Sequence, residues 1–370
     1  MYEIIIIGGG LAGLVSSIQL AKAGRKVLLI EKKKYPFHKV CGEYISNETR
    51  PFLESLGVNF KDLSVKEITK FQFTSPSGRV LETDLDLGGF GISRYKLDEY
   101  LFHLAEQNGV EFLLENSVES IDYQEDTMII KTQNQTFKSR FVIGSFGKRT
   151  KLDATLKRDF FTKRSPYIGV KYHIKTNFPQ DLIALHNFKD GYCGISAIED
   201  DKHCLCYLTT RENLRQHGTI ANMEKEILWK NPHLKKIFTE SEFLYDKPEV
   251  INEISFAPKT AVENHILMAG DSAGLITPLC GNGMAMAIHG AKLLTESILQ
   301  NYEDRNLVEI THQKTWNQHF KQRLWVGRNV QKLFGNEIVS EIALTTLKTF
   351  KPALRVIMKA THGEVIATAP

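Results

Sequence analysis

Gly8-Gly9-Gly10-Leu11-Ala12-Gly13 follows directly on the mostly β-branched run from Glu3 to Ile7. Glycines at this spacing, between a buried strand and a helical pattern, serve the binding of a dinucleotide. Gly8 allows a tight turn, Gly10 lets backbone approach a pyrophosphate, and Gly13 lets the next helix, carrying Leu14, Val15, Ile18 and Leu20, pack closely on the strand. That helix presents its unpaired N–H groups to the phosphates. Gly24 ends the helix and Lys26 to Ile30 reads as a second strand, with Glu31 at its end. A carboxylate roughly twenty residues past the glycines accepts hydrogen bonds from ribose hydroxyls, and it would repel a 2′-phosphate, so the site is expected to reject NADP. Leu11, Ala12 and Lys32 complete the candidate cofactor contacts of this stretch.

A second stretch of chemical interest lies far downstream. The buried-strand pattern His265 to Ala269 ends in Gly270-Asp271-Ser272-Ala273-Gly274, then Pro278-Leu279-Cys280-Gly281-Asn282-Gly283-Met284, then a helix through Ala287, Ala291 and Leu294. Between the two, Ile92-Ser93-Arg94 opens a helix with Leu97, Leu101, Leu104 and Ala105 on one face, stopped by Gly109. Three such stretches in this order resemble the FAD enzymes that include para-hydroxybenzoate hydroxylase, the flavin halogenases and the geranylgeranyl reductases, over roughly residues 1–300. The resemblance implies FAD as cofactor, with Asp271 holding a ribityl hydroxyl and Pro278 through Gly283, Asn282 included, wrapping the flavin ring; Gly270 and Met284 complete the cofactor contacts there. It gives Arg94 a contact with the phosphate and ribityl region. Cys41, in Lys39-Val40-Cys41-Gly42, resembles the flavin-side loop of the geranylgeranyl reductases, and Tyr192, in Gly191-Tyr192-Cys193-Gly194, their substrate-side strand. Cys41 and Tyr192 are therefore the catalytic candidates.

The physics of the second stretch agrees. Reducing a flavin leaves negative charge on its ring, and a helix N-terminus aimed there stabilises it. Gly281 and Gly283 permit close backbone approach. The sequence also departs from the group. Ser145-Phe146-Gly147-Lys148-Arg149 replaces the usual Asp-Gly pair after the strand Val142-Ile143, and the paired-tryptophan motif of tryptophan halogenases is absent. Direct NADPH use is thus in question, halogenation is set aside, and NAD(P)H stays open as an external electron donor.

The elements that must position these residues read as an α/β chain. Tyr2 to Ile7, Lys26 to Ile30, Val110 to Leu114, Val118 to Tyr123, Met128 to Thr132 and Phe137 to Phe141 are strand-like, and Val142 to Gly147 returns to the buried-strand pattern. A helix is expected from about Ser46 to Leu56. Ile68 to Phe73 and Val80 to Leu85 are strands joined by the turn Ser75-Pro76-Ser77-Gly78. Tyr167 to Lys175, Leu182 to Asn187, Tyr192 to Ile198 and His203 to Thr209 predict an antiparallel substrate-side sheet, followed by helices near Ala221 to Trp229 and Leu234 to Phe238. The expected fold is α/β: a Rossmann-like FAD-binding domain (1–65, 92–160 and 250–300), an antiparallel β-sheet substrate domain (66–91 and 161–249) and a C-terminal helical segment (301–370).

With 370 residues and a net charge of +4 the chain has room for two lobes and gives no argument for nucleic acid as partner. The first strand begins almost at Met1 and no apolar run reaches spanning length, so no signal peptide is expected. Five scattered cysteines fit a reducing cytoplasm, and none has metal-ligand spacing; Cys204 and Cys206 read as small residues on one sheet face, and Cys280 as a small packed one. Between Phe320 and Lys359 the cations Lys321, Arg323, Arg328, Lys332, Lys348, Lys351, Arg355 and Lys359 meet only Glu337 and Glu341. Phe320, Leu324, Leu333, Phe334, Ile338, Ile342 and Leu347 recur at near-helical spacing among them. Either that apolar face packs on the cofactor domain, or the basic helices make a peripheral contact with the inner membrane face.

Three functions follow from the resemblance. The first is a reductase moving hydride between flavin and a double bond of an apolar prenyl, alkyl or polyketide-like substrate. The second is a monooxygenase of an aromatic substrate, and the third a non-catalytic flavin-binding electron carrier. The Cys41 loop and the missing Asp-Gly pair favour the reductase.

Overall fold

The computed structural model describes residues 1–333, 337–349 and 363–368. Phe334, Lys351, Arg355 and Lys359 lie outside the described residues, as do the side chains of Cys280, Lys332, Leu333, Glu337 and Ile338.

The strand Tyr2–Ile7 forms the middle of the first sheet, between Val27–Glu31 and Thr136–Gly144, all parallel, with Ile5 opposite both Leu28 and Val142. Ile4 and Ile6 are buried under the helices Leu11–Lys22 and Gly283–Gln300, and Ile5 under Ile121, Met128 and Ile130 of the strands Val118–Gln124 and Thr127–Thr132 with Trp316 and Phe320, so both faces are covered and the unbroken apolar run needs no alternation. Ile266–Met268 and Glu111–Leu114 extend the parallel order on either side. The expected strands at 137–141 and 142–147 are one, Thr136–Gly144, because nothing interrupts its ladder with Tyr2–Ile7. The helices Leu11–Lys22 and Gly283–Gln300 pack against each other on this sheet, and Thr295 Oγ1 donates to Gln19 Oε1 at 2.7 Å.

The second sheet carries Tyr167–Lys175, Leu182–Phe188, Gly191–Ala197 and His203–Thr210 as an antiparallel run. The expectation of a wholly antiparallel sheet is corrected at one place: Leu182–Phe188 runs parallel to Lys66–Thr74, with Leu185 opposite Phe73. Four of the eight strands of the first sheet lie between these two in sequence, so no hairpin dictates their direction. Residues 44–46 and 250–252, expected with the first lobe, pair into the second sheet through Ile45–Phe90 and Val170–Val250, in the strands Tyr44–Ser46 and Glu249–Asn252.

The expected helix over 46–56 begins as a 3₁₀ turn, Asn47–Thr49, capped by Ser46, and becomes α-helical only over Arg50–Ser55, where Pro51 suits the first turn. Thr219 caps Ile220–Glu226 and Asn231 caps Pro232–Glu240, one or two residues ahead of the predicted starts. Val170, Tyr172 and Ile174 face these helices and pack with Met223, Leu228, Leu234 and Ile237. Gly169, Lys171 and His173 therefore face the other way, toward the first lobe.

At the C-terminal end, Arg305–Leu333 turns Trp316 and Phe320 into the core beside Ile266 and Met268, and Leu344 of Glu337–Thr349 is buried too. Arg323 lies 3.8 Å from the buried Glu48 carboxylate. Of the predicted apolar face, Phe320 is buried, Leu324 and Leu347 are partly buried against the core, and Ile342 is exposed, as is Trp325 outside that face. Among the described residues no helix is long and apolar enough to cross a membrane.

Candidate functional site

A cavity of about 1440 Å³ opens between the two sheets. Gly8, Gly10, Leu11, Ala12, Glu31 and Lys32 line it from the glycine turn and the end of the second strand. Gly270, Asp271, Pro278, Gly281, Gly283 and Met284 line it from the downstream stretch, and Arg94 and Cys41 from between them. Tyr192 borders it from the second sheet with Phe71, Leu81, Leu185, Leu208 and Ile254. Gly8 and Met284, 276 residues apart in sequence, thus share one space, which the order of the parallel strands brings about: each glycine motif sits at the C-terminal end of its strand.

Two residues grouped with the cofactor contacts do not line the cavity. A Cβ on Gly13 would stand 2.1 Å from the Gly8 carbonyl oxygen and 2.7 Å from Ser145 Oγ, which is the close packing of helix on strand that its spacing implied. Asn282 is fully buried and its side chain pairs with the Glu48 carboxylate, away from the cavity. Gly10 is the opposite case, since a Cβ there would find only Arg94 Nη2 and Lys39 Nζ, each at 3.8 Å. Its open side faces the cavity and two cations, which fits a pyrophosphate.

Those cations are held by one acid. Asp98 is 1% exposed and accepts from Arg94 Nε at 2.7 Å, Arg94 Nη2 at 2.8 Å and Lys39 Nζ at 2.8 Å. Ser93 caps the Arg94–Gln107 helix, its Oγ accepting from Lys96 N, so Arg94 and Asp98 fall one turn apart on the same face. Burial raises the Asp98 carboxyl, but Arg94 and Lys39 outweigh it and hold the group below its ordinary range. Glu31 is fixed differently: its two oxygens accept from Gly9 N at 2.7 Å and Lys33 N at 3.1 Å, which aims the carboxylate beside the glycine turn.

Ser145, standing where the group's Asp-Gly pair is missing, donates from Oγ to the Gly8 carbonyl at 2.7 Å and so ties one strand end to the turn. Gly147 N donates to Ser272 Oγ at 2.9 Å, joining this loop to the Asp271 stretch. Burial pushes the Asp271 carboxyl up, against the opposing pull of Lys259, Arg94 and Lys148. Lys259 Nζ donates to the Asp271 carbonyl at 2.7 Å, and burial brings its ammonium down to about 8. Gly281 adopts φ +62, the left-handed turn that starts the 18-residue helix Gly283–Gln300 with its positive end at the cavity.

Sequence reasoning missed the group behind the Cys41 loop. Glu43 is fully buried at φ +55 and accepts from Arg94 N at 2.8 Å, His173 Nε2 at 2.6 Å and Lys171 Nζ. Burial works to raise its carboxyl, but Lys171 and His173 lower it to about 2. Cys204 Sγ donates to the Cys41 carbonyl at 3.2 Å, and burial pushes the Cys41 thiol up, so it stays protonated. Glu43, His173 and Cys204 bring donor atoms within 4.8 Å of one another, and the Lys171 ammonium already supplies the cation this acid needs. Cys206 follows Cys204 on the same sheet face and borders the cavity, its thiol raised to about 12 by burial.

Asp271→Ala is expected to lower affinity for FAD about fivefold to hundredfold with the fold intact, because a ribityl hydroxyl loses its acceptor at a cost of about 1 to 3 kcal/mol. Titrating apoprotein with FAD by flavin fluorescence checks it; unchanged affinity takes Asp271 out of the site.

The comparisons agree with this geometry. Residues 1–312 match the family model described as an FAD binding domain. The conditioned medium factor receptor 1 of Dictyostelium discoideum is 24% identical over 83% of this chain, which spans 65% of that protein's length. The digeranylgeranylglycerophospholipid reductase of Methanococcus vannielii is 23% identical over 97% of the chain and 95% of its own. A flavin-dependent brominase superposes with a TM-score of 0.78 at 18% identity, covering 97% of this chain and 93% of its own, which shows a shared fold. Strand order, glycine turn and cation pair therefore meet in one conclusion: the chain belongs to the FAD binding domain family, as an FAD-dependent oxidoreductase.

Proposed function

We propose that the protein reduces a carbon–carbon double bond in an apolar, isoprenoid-like chain. The observation that carries this reading is the wall opposite the glycine turn, where Phe71, Phe73, Leu81, Leu185, Leu208 and Ile254 border the cavity from the second sheet. An apolar wall of this kind takes hydrocarbon from water and offers few hydrogen bonds to a polar ligand. The similarity over nearly full length to a protein named as a digeranylgeranylglycerophospholipid reductase supports the same substrate class.

When bound, the flavin supplies the hydride chemistry. Gly10, Arg94 and Lys39 would hold its pyrophosphate, Glu31 a ribose, and Asp271 the ribityl chain. The N-terminus of Gly283–Gln300 would face the ring and favour its negative charge. Cys41 and Gly42 form the cavity wall beside Glu43, and Tyr192, 3% exposed, closes the apolar wall. These side chains exclude water and hold the substrate; none carries a reactive thiolate, since burial keeps Cys41 and Cys206 protonated.

The test separates reduction from oxygenation. Protein reduced with dithionite without air, then given a geranylgeranyl lipid, is expected to yield the saturated chain at one double bond per two electrons. The reading fails if product forms only in air and carries an oxygen atom, the outcome of a monooxygenase.

A further inference from the structure

Glu43, Lys171 and His173 are costly to bury, and the chain of hydrogen bonds they begin does not stop at the Glu43 carboxylate. His173 Nδ1 lies 2.7 Å from Tyr245 Oη, and Tyr245 Oη lies 3.1 Å from His38 Nδ1. His38 is half-buried and stacks on Tyr95, which is 38% exposed. The chain therefore runs along the loop 38–43, from its half-exposed start to its solvent-shielded end at Glu43, which borders the cavity with Cys41 and Gly42.

The donors in this chain can all point one way. Glu43 is ionised beside Lys171, so His173 Nε2 must donate to it. His173 Nδ1 then accepts, Tyr245 donates to it, and Tyr245 in turn accepts from His38 Nδ1–H. Tyr245 and His173 each both accept and donate, Glu43 is the terminal acceptor, and every link is 3.1 Å or shorter. Lys171, which also donates to the Lys39 carbonyl at 3.1 Å, holds the acid in place without joining the chain.

We propose that His38, Tyr245, His173 and Glu43 form an inward proton relay that delivers a proton from solvent to the cavity beside Cys41. Resting on the reductase reading, the relay supplies the second half of the reaction. Saturating a double bond adds hydride to one carbon and a proton to the other; two electrons come with the hydride from the reduced cofactor, and the π pair forms the bond to the proton. The relay gives that proton from the Glu43 end and takes one from water at His38. Glu43 is a relay member by its place at the cavity; His173 and Tyr245 are positioning and transfer residues behind it.

His38 faces Tyr95 of the Arg94–Gln107 helix, His173 and Lys171 of the Tyr167–Lys175 strand, Tyr245, Glu249 of the Glu249–Asn252 strand, and Glu43. Burial, then Lys171 and His173, hold it below the ordinary histidine range, only partly opposed by Glu43 and Glu249. Turnover through the relay is therefore lost as pH rises through the His38 titration.

Tyr245→Phe cuts the middle link and keeps the ring. The variant is expected to bind FAD as wild type does, to lose tenfold or more in kcat with KM for the lipid unchanged, and to lose the His38 limb of the pH profile. A second readout needs no turnover: with histidine rings labelled in the full FAD-loaded chain, the wild-type signals of His173 are expected to shift with the titration of His38, and Tyr245→Phe to uncouple them. Wild-type His173 signals that do not respond to the His38 titration, or wild-type kcat and pH profile in Tyr245→Phe, overturn the relay. If the lipid is not reduced at all but the His173 signals follow His38, the proposed reaction fails while the hydrogen-bonded relay stands.

Discussion

Replacing Gly10 with valine is expected to give a folded protein that no longer retains FAD. The three glycines of the turn differ sharply in what surrounds them. A Cβ on Gly8 would lie 2.4 Å from the Ser145 carbonyl oxygen with φ at +105, and one on Gly13 would lie 2.1 Å from the Gly8 carbonyl oxygen. Substitution at either damages the joint between strand and helix and says little about a ligand. At Gly10 the nearest atoms are the ends of two flexible side chains at 3.8 Å, so the fold tolerates a branched residue. The added methyl groups enter the cavity where Arg94 and Lys39 converge. Overpacking of about 1 to 3 kcal/mol against the bound cofactor corresponds to a loss of affinity from about fivefold to more than hundredfold. Flavin absorbance per mole of purified protein, beside the melting temperature of the apoprotein, reads the two effects separately. A yellow Gly10→Val protein with wild-type affinity would refute the placement of the pyrophosphate.

That test was available from sequence because its signal is local. Strand, turn and helix lie within one short run, and Gly8, Gly10 and Glu31 can be read from spacing alone. The downstream helix at Gly283 was legible for the same reason. What sequence could not separate is which residues of the downstream loop touch the cavity and which only build it: Asn282 is a builder, and only Glu48 beside it shows it, whereas the packing role of Gly13 was legible from its spacing. The acid cluster was hidden for a different reason. Lys171 and His173 alternate with Val170, Tyr172 and Ile174, a pattern that reads as a strand with one polar face in solvent. The fold instead presses that face against Glu43, 128 residues away, so both faces of the strand are buried. Nothing near Lys171 in sequence announces its partner. The C-terminal helices show the same limit, since an apolar stripe does not say what covers it; Phe320 and Leu344 find the core, and Arg323 finds Glu48.

Asp98→Asn is expected to cost the apoprotein about 3 kcal/mol at neutral pH, the low end for breaking a buried ion pair, since Arg94 and Lys39 keep some solvent access. The carboxylate is the shared counter-charge for two cations that point at the glycine turn, and the amide keeps its shape while removing its charge. Two consequences separate this from a general weakening. Added FAD should recover more stability in the variant than in the wild type, because a pyrophosphate returns negative charge to Arg94 and Lys39. The pH dependence has a fixed sign as well. The folded-state pKa of Asp98 lies below the unfolded value of 3.8, so its contribution is complete above that value and is lost as pH falls through the folded pKa. Denaturation curves of wild type and Asp98→Asn should therefore lie apart at neutral pH and draw together in acid below about pH 4. Equal stability of the two at neutral pH would mean that Arg94 and Lys39 do not depend on Asp98, and the cation pair would lose its place as the preformed half of the cofactor site.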